Sequence, residues 1–409
     1  LNTAAALWTR APKDITEEQY TEFYHHVAHA FDDPWLTLHN SVEGVLSYTN
    51  LLFVPSAPPR DLFDPERKSR LKLYVNKVFI TDDCDGLLPS YLRFVRGLVD
   101  SEDLSLNVSR EMLQKDPKLA KIGKGLTKRV LGELKKKADK DKDGFETFFD
   151  MFGPVLKEGL YEDADNKDKL LEMVRFRSVN QDGWISLDDY VAAMVEGQEA
   201  IYTISAEDPE KARRSPHLEG FKARGIDVLI LTDPVDEFWV PLQGAYQEKP
   251  FKSVTQGGVD LEKVKKKDAG SKENKAEEAK PEAAETDKLV AALKAVLGEE
   301  VKDVKASDRL TDSPCCLVAG EGDMDIRLER MMRQAGRLDV AMMRVLEINA
   351  SHVVLRKMAA LSDNTDEGSD FSEAAKLLLD QARIIEGEPV PDASAFARRL
   401  AAFVARGLG

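Results

Sequence analysis

Between Val264 and Asp287 the chain is a run of Lys, Glu, Ala and small polar residues with almost nothing to bury. Such a stretch cannot offset the entropy of ordering its own backbone, so it must separate folded parts and cannot belong to one core. The 409 residues also exceed the roughly 100–200 residues of a typical domain, which makes division into several units the expectation. With 43% hydrophobic and 32% charged residues, the parts on either side of this linker have enough apolar material for packed interiors under a densely charged surface.

The formal net charge of −15 argues against general nucleic-acid binding, which depends on a basic face that neutralises phosphates. Cys84 and the adjacent pair Cys315 and Cys316 are too few for a disulfide scaffold and lack CxxC spacing, which fits a reducing, cytoplasmic setting. No apolar run reaches the roughly 20 residues that span a bilayer, and Leu1 to Arg10 has no signal-peptide pattern, so no membrane association is expected. The chain opens on Leu1, not Met, and its first residues read like the interior of a longer protein.

Thr16 and Gln19 form a capping-box pattern that opens a helix through about His29. Strand-like runs follow at Val45 to Val54 and Leu71 to Ile80, and Pro89 to Gly97 reads as a short helix. From Leu119 to Ser178 apolar residues recur at helical spacing in three helices, and Ile201 to Ile204 with Val228 to Leu231 read as a parallel pair across a helix. Beyond the linker come a helix at Leu289 to Leu297, short strands at Val301 to Lys305 and Cys316 to Val318, and then mostly helix. The fold class is α/β plus α+β.

Ser109 can cap a helix beginning at Arg110, which puts Arg110 and Gln114 one turn apart on the same face at a positive helix end. Such a face suits an anion. Without its context, Arg110 reads rather as one half of a surface ion pair with Glu111 or Asp116, and it is the surrounding motif that favours the anion. Residues 139–150 and 178–189 imitate calcium loops, with Gly at the sixth place and oxygen side chains before it. Both end in Asp where a bidentate Glu is usual, and the alternative is a polar turn rich in Asp and Gly. They nonetheless define a second functional hypothesis, a calcium-regulated interaction protein. The basic run Lys135 to Lys137 is balanced by nearby acids, and His25, His26 and His29 have no further partner for a metal, so no metal site is assigned.

Five runs carry a family resemblance: Leu7 to Arg10, Ser41 to Gly44, Leu71 to Ile80, Arg96 to Gln114 and Arg309 to Pro314. Together, in this order, they resemble the heat-shock protein 90 family. The resemblance implies a large α/β/α unit at 1–138, a helical connector at 139–178, a small α/β/α unit at 179–263, the charged linker at 264–287 and a mostly helical dimerisation domain at 288–409. It implies an ATP-driven chaperone whose nucleotide domain, with its ATP and Mg²⁺, lies outside this chain, so the chain alone is expected to bind neither. The matching Arg110 would meet the ATP γ-phosphate when domains close, with Asn107 and Gln114 ordering the loop around it. No acidic tail follows Arg406, so docking of tetratricopeptide co-chaperones at the C-terminus is not expected, which favours the bacterial, HtpG-type branch.

The expected partners are non-native client proteins, the nucleotide domain and a second copy of the chain. Phe238 and Trp239 fall in a segment matching a client-binding region of the family. Met331 and Met332 belong to a Met cluster suited to a permissive apolar surface. Leu377, Leu378, Ile384, Phe396, Leu400 and Phe403 form stripes on the last two helices, which fit a two-fold four-helix contact.

Overall fold

The computed structural model describes residues 6–64, 70–82, 84, 86–105, 116–259, 261, 263–265 and 282–408, which form two compact units, Leu1–Arg175 and Phe176–Gly409. In the first unit, helix α1 (Glu17–Ala28) starts at the capping box of Thr16 and Gln19 and ends at His29, which is left-handed at φ 53. Strands β1 (Pro34–Val42), β2 (Tyr48–Pro55), β3 (Arg70–Val75), β4 (Val78–Thr81) and β5 (Arg96–Ser101) form one sheet in the order β1-β2-β5-β3-β4. Side chains alternate across β2: Leu51 and Phe53 pack with Tyr20 and Tyr24 of α1, while Tyr48 and Asn50 lie along a cleft with the long helix α2 (Pro117–Lys140).

Two expectations about this sheet fail for identifiable reasons. The run Leu71 to Ile80 is a hairpin, because Asn76 and Lys77 both take positive φ and form a tight two-residue turn. Pro89 to Gly97 is not a helix. Only Ser90–Leu92 makes a 3-10 turn, and Arg96 opens β5, the central strand, whose residues are all buried. Gly97 is required there, since a Cβ would lie 2.1 Å from the Leu51 carbonyl oxygen at φ +126.

Helix α2 is followed by α3 (Lys142–Glu162) and α4 (Lys167–Met173). Phe148 and Phe152 of α3 pack on Phe94, and Trp35 stacks on Phe148 at 4.7 Å between ring centroids. Each buried Phe of this kind contributes about 1.5–3 kcal/mol. Residues 139–150 therefore cannot wrap an ion: Asp139 lies in α2, Asp141 caps α3 by accepting from Gly144 N, and the rest is continuous helix. The second calcium-like stretch also has its acids engaged elsewhere. Asp189 accepts from the N–H and hydroxyl of the helix cap Ser186, Asp188 accepts from Tyr246 and Gln247, and Asp182 faces Arg213.

The second unit carries two sheets. Strands β6 (Arg177–Ser178), β7 (Ile201–Ser205), β8 (Leu229–Leu231), β9 (Ala245–Tyr246) and β10 (Lys249–Ser253) pair in the order β6-β8-β7-β10-β9, with β7 parallel to both β8 and β10. Helices α5 (Leu187–Ala192), α6 (Pro209–Ala212), α7 (Glu219–Arg224) and α8 (Asp236–Gln243) lie among these strands in sequence. After α9 (Ala283–Leu297), strands β11 (Asp303–Ala306), β12 (Cys315–Val318) and β13 (Val345–Ile348) pair as β11-β13-β12. The central strand β13 is absent from the sequence reading. The remaining helices are α10 (Ile326–Gln334), α11 (Val353–Ala359), α12 (Asp370–Glu386) and α13 (Ala393–Leu408). Leu289, Leu293, Leu346, Phe371 and Leu379 share one core. No helix among the described residues is long and apolar enough to cross a membrane.

Candidate functional site

Asn107, Arg110 and Gln114 lie outside the described residues. What the fold provides is their frame. Upstream, Asp100 at the end of β5 accepts from Trp8 Nε1 at 2.8 Å and from Lys77 N at 3.1 Å, which ties the strand end to the β3–β4 turn. Asp103 accepts from Ser47 N at 2.5 Å. Downstream, Asp116 caps α2 by accepting from Lys118 N at 2.7 Å, with Pro117 at the first helical position. The two sides meet where Lys118 Nζ donates to the Asp103 carbonyl at 2.7 Å. The end of the buried central strand and a capped 24-residue helix thus flank the segment that carries these residues.

A second constellation joins the two sheets of the second unit. Asp325, the cap of α10, accepts from the hydroxyls of Ser253 at 2.6 Å and Thr255 at 2.7 Å. Arg327 donates to the carbonyls of Leu231 at 2.8 Å and Thr232 at 3.2 Å, and stands 3.8 Å from Glu237. Burial, and then the charge of Asp325, push the Glu237 carboxyl up to about 7, against the pull of Ser205 and Arg327. Backbone bonds continue the junction, with Ala319 N donating to Thr255 O and Gly257 N to Ala319 O. Arg309, buried, donates to the carbonyls of Val254 and Gln256 and pairs with Glu347 at 2.8 Å. Sequence reasoning gave none of these polar residues a role of its own, although Arg309 opens one of the family-like runs.

This junction decides what the predicted apolar residues can do. Trp239 is fully buried against Phe176 and Phe251, and its indole N–H donates to Asp236 at 2.7 Å. It is a core residue here and does not present a surface to a partner, since Asp236, one helical turn earlier, satisfies its one donor inside the core. Its neighbour Phe238 is 36% exposed and Leu242, one turn on, is 66% exposed. Met331 and Met332 are half-buried on α10, with Met342 and Met343 exposed nearby in sequence.

The family profile described as Hsp90 protein matches residues 1–409. The chain belongs to the Hsp90 family. It is 55% identical over 410 residues to the chaperone protein HtpG of Paramagnetospirillum magneticum, covering 100% of this chain and 65% of that protein. HtpG of Roseobacter denitrificans is 55% identical over 402 residues, covering 98% and 64%, and HtpG of Rhodospirillum rubrum 53% identical over 409, covering 100% and 65%. The chain spans just under two thirds of the length of these curated relatives.

In this Hsp90 chain the last two helices differ sharply in burial. Leu378 on α12 is 7% exposed and belongs to the core, so it cannot be offered to a second copy, while Leu377 is half-buried. Helix α13 buries only Ala395 among its described residues. Ile384 and Leu400 are exposed and Phe396 and Phe403 half-buried, and Val404 and Leu408, not singled out from sequence, are exposed as well. Three ion-pair contacts hold α13 to α12: Arg399 to Glu373 at 3.0 Å and to Asp380 at 3.4 Å, and Arg406 to Asp370 at 2.5 Å.

Proposed function

We propose that this chain is the middle and C-terminal part of a dimeric, ATP-driven molecular chaperone that binds non-native proteins in the cytoplasm. The observation that carries the reading is the pairing of exposed apolar residues with a rigid polar brace. Phe238 and Leu242 stand out from α8, Met331 and Met332 are half-exposed on α10, and the two helices are linked through Glu237, Arg327 and Asp325. Apolar groups held open in this way can meet many partners without the surface collapsing on itself.

On this reading the partition 1–138, 139–178, 179–263, 264–287 and 288–409 describes the functional domains. Arg110, with Asn107 and Gln114, serves the γ-phosphate of an ATP held with Mg²⁺ by the nucleotide domain of the complete protein, and the α13 face meets a second copy. Slow hydrolysis then belongs to the complete protein and not to this chain.

Suppression of aggregation of an unfolded test protein, without ATP, tests the client surface. Phe238→Ser with Leu242→Ser, and separately Met331→Ser with Met332→Ser, should each weaken suppression with unchanged circular dichroism. Full suppression by both double variants would refute the assignment. Trp239→Ala is a control for the fold, since removing a buried Trp costs about 3–5 kcal/mol.

A further inference from the structure

Helix α2 passes over the β1–β2 hairpin with two glycines on that side. At Gly125 the helix rests against Tyr48, whose hydroxyl would lie 2.7 Å from an added Cβ. At Gly132, two turns on, an added Cβ would meet nothing within 4 Å. The missing side chain helps to leave a cleft of about 350 Å³ between helix and hairpin, at the small end of the roughly 300–1,000 Å³ of ligand pockets.

Asn50 lines this cleft. It is 1% exposed, and its Oδ1 is buried with no hydrogen-bond partner among the described residues. The next residues of β2, Leu51 to Val54, are all apolar and buried, so packing alone gives no reason for an amide at this position. A buried acceptor left without a donor needs an explanation. The helix wall supplies Lys128, Arg129 and Lys136 against one carboxylate, Glu133, which is shared by Arg129 at 3.3 Å and Lys136 at 2.7 Å.

We propose that this cleft binds a small phosphomonoester that carries hydroxyl groups. The excess of cations calls for an anion, and the planar fork of Arg129 with the ammonium of Lys128 suits phosphate oxygens. Asn50 Oδ1 calls for an O–H donor at the ligand's other end. Among the described residues Tyr48 is the only aromatic in the lining, so they offer no pair of rings between which a nucleobase could be held, and the volume favours a short polyol body.

The test titrates the full chain with glycerol phosphate, inorganic phosphate and glycerol at low ionic strength, by calorimetry. Saturable binding of glycerol phosphate about tenfold tighter than inorganic phosphate, with no heat from glycerol, is the expected result. Asn50→Leu should reduce glycerol phosphate to the affinity of inorganic phosphate. Gly132→Leu should abolish binding of both while raising the melting temperature, because Leu is a far better helix former than Gly and meets open space here. Equal affinity for the two phosphates, undiminished binding in Gly132→Leu, or no heat from any probe would each overturn the proposal.

Discussion

The carboxylate of Glu219 holds Ser313 by two groups, accepting from its hydroxyl at 2.5 Å and from its backbone N–H at 3.1 Å. The same carboxylate accepts from Thr311 N at 2.7 Å and Asp312 N at 2.8 Å. Three successive N–H groups converging on one anion form a nest, and the family-like run Arg309 to Pro314 is the loop that makes it. Gly220 allows the close approach, since a Cβ there would lie 2.7 Å from the Arg309 carbonyl oxygen.

Burial alone would raise the Glu219 pKa, but the bonds from the Ser313 hydroxyl and the three N–H groups outweigh it and lower the pKa below the ordinary 4.5. The native state therefore releases this proton more readily than the unfolded chain. The stabilisation is full above 4.5 and is lost as pH falls through the lower native value. Glu219→Gln should cost about 1.5–3 kcal/mol at neutral pH, as expected for hydrogen bonds to a charged acceptor, and the cost should shrink in acid. Urea unfolding near neutral pH and in acid checks this; a cost that grows in acid would contradict it.

Glu237 carries the opposite sign. Its native pKa of about 7 lies above the ordinary 4.5, so its contribution is full below 4.5 and is lost as pH rises through 7. Glu237→Gln mimics the protonated form. The variant should match the wild type in acid and exceed it by about 2–4 kcal/mol at alkaline pH. Hydrogen exchange of peptides spanning α8 reads this locally, and protection that is the same in the two proteins at every pH would show that the carboxyl is not strained.

Much of this fold is legible where local chemistry and tertiary packing agree. Thr16 with Gln19 announces α1, and the apolar spacing from Leu119 announces the helices that form there. The errors fall where tertiary context decides. Strand β5 is buried on both faces, so its run from Arg96 shows no alternation to separate it from helix. Strand β13 is a four-residue buried segment, too short to declare a period. For the candidate site, exposure is the missing variable: Phe238 and Trp239 are equal in sequence, and only the bond from Trp239 to Asp236 shows which one turns inward.

The dimer proposal now rests on α13 more than on α12. Leu400→Glu with Val404→Glu places charges on positions 44% and 50% exposed, so the fold should survive while the dimer dissociates. Leu378→Ala should instead lower stability by about 2–5 kcal/mol as a core truncation, with dimerisation affected only through the fold. Light scattering and thermal unfolding of both variants distinguish these roles. A monomer from Leu378→Ala at full stability, or a dimer that resists the two glutamates, would move the contact elsewhere.

Arg110 gives the sharpest test of the proposed mechanism. Its frame is rigid on both sides, with Asp103 and Lys118 in contact and α2 capped by Asp116, so a substitution within the segment should leave the surrounding fold intact. In the complete protein, Arg110→Ala should lower ATP turnover far more than nucleotide affinity, because the guanidinium would reach the phosphate only on domain closure. An arginine supplied in this way contributes on the order of 10³–10⁵ in rate in GTPases, and a smaller loss is expected where closure limits the cycle. Arg110→Lys should rescue only in part, since it keeps the charge but loses the planar fork. Gln114→Ala should be milder, because an amide carries no net charge. Steady-state hydrolysis and nucleotide affinity, measured side by side for each variant, separate these outcomes. Wild-type turnover in Arg110→Ala would leave the segment a purely structural role.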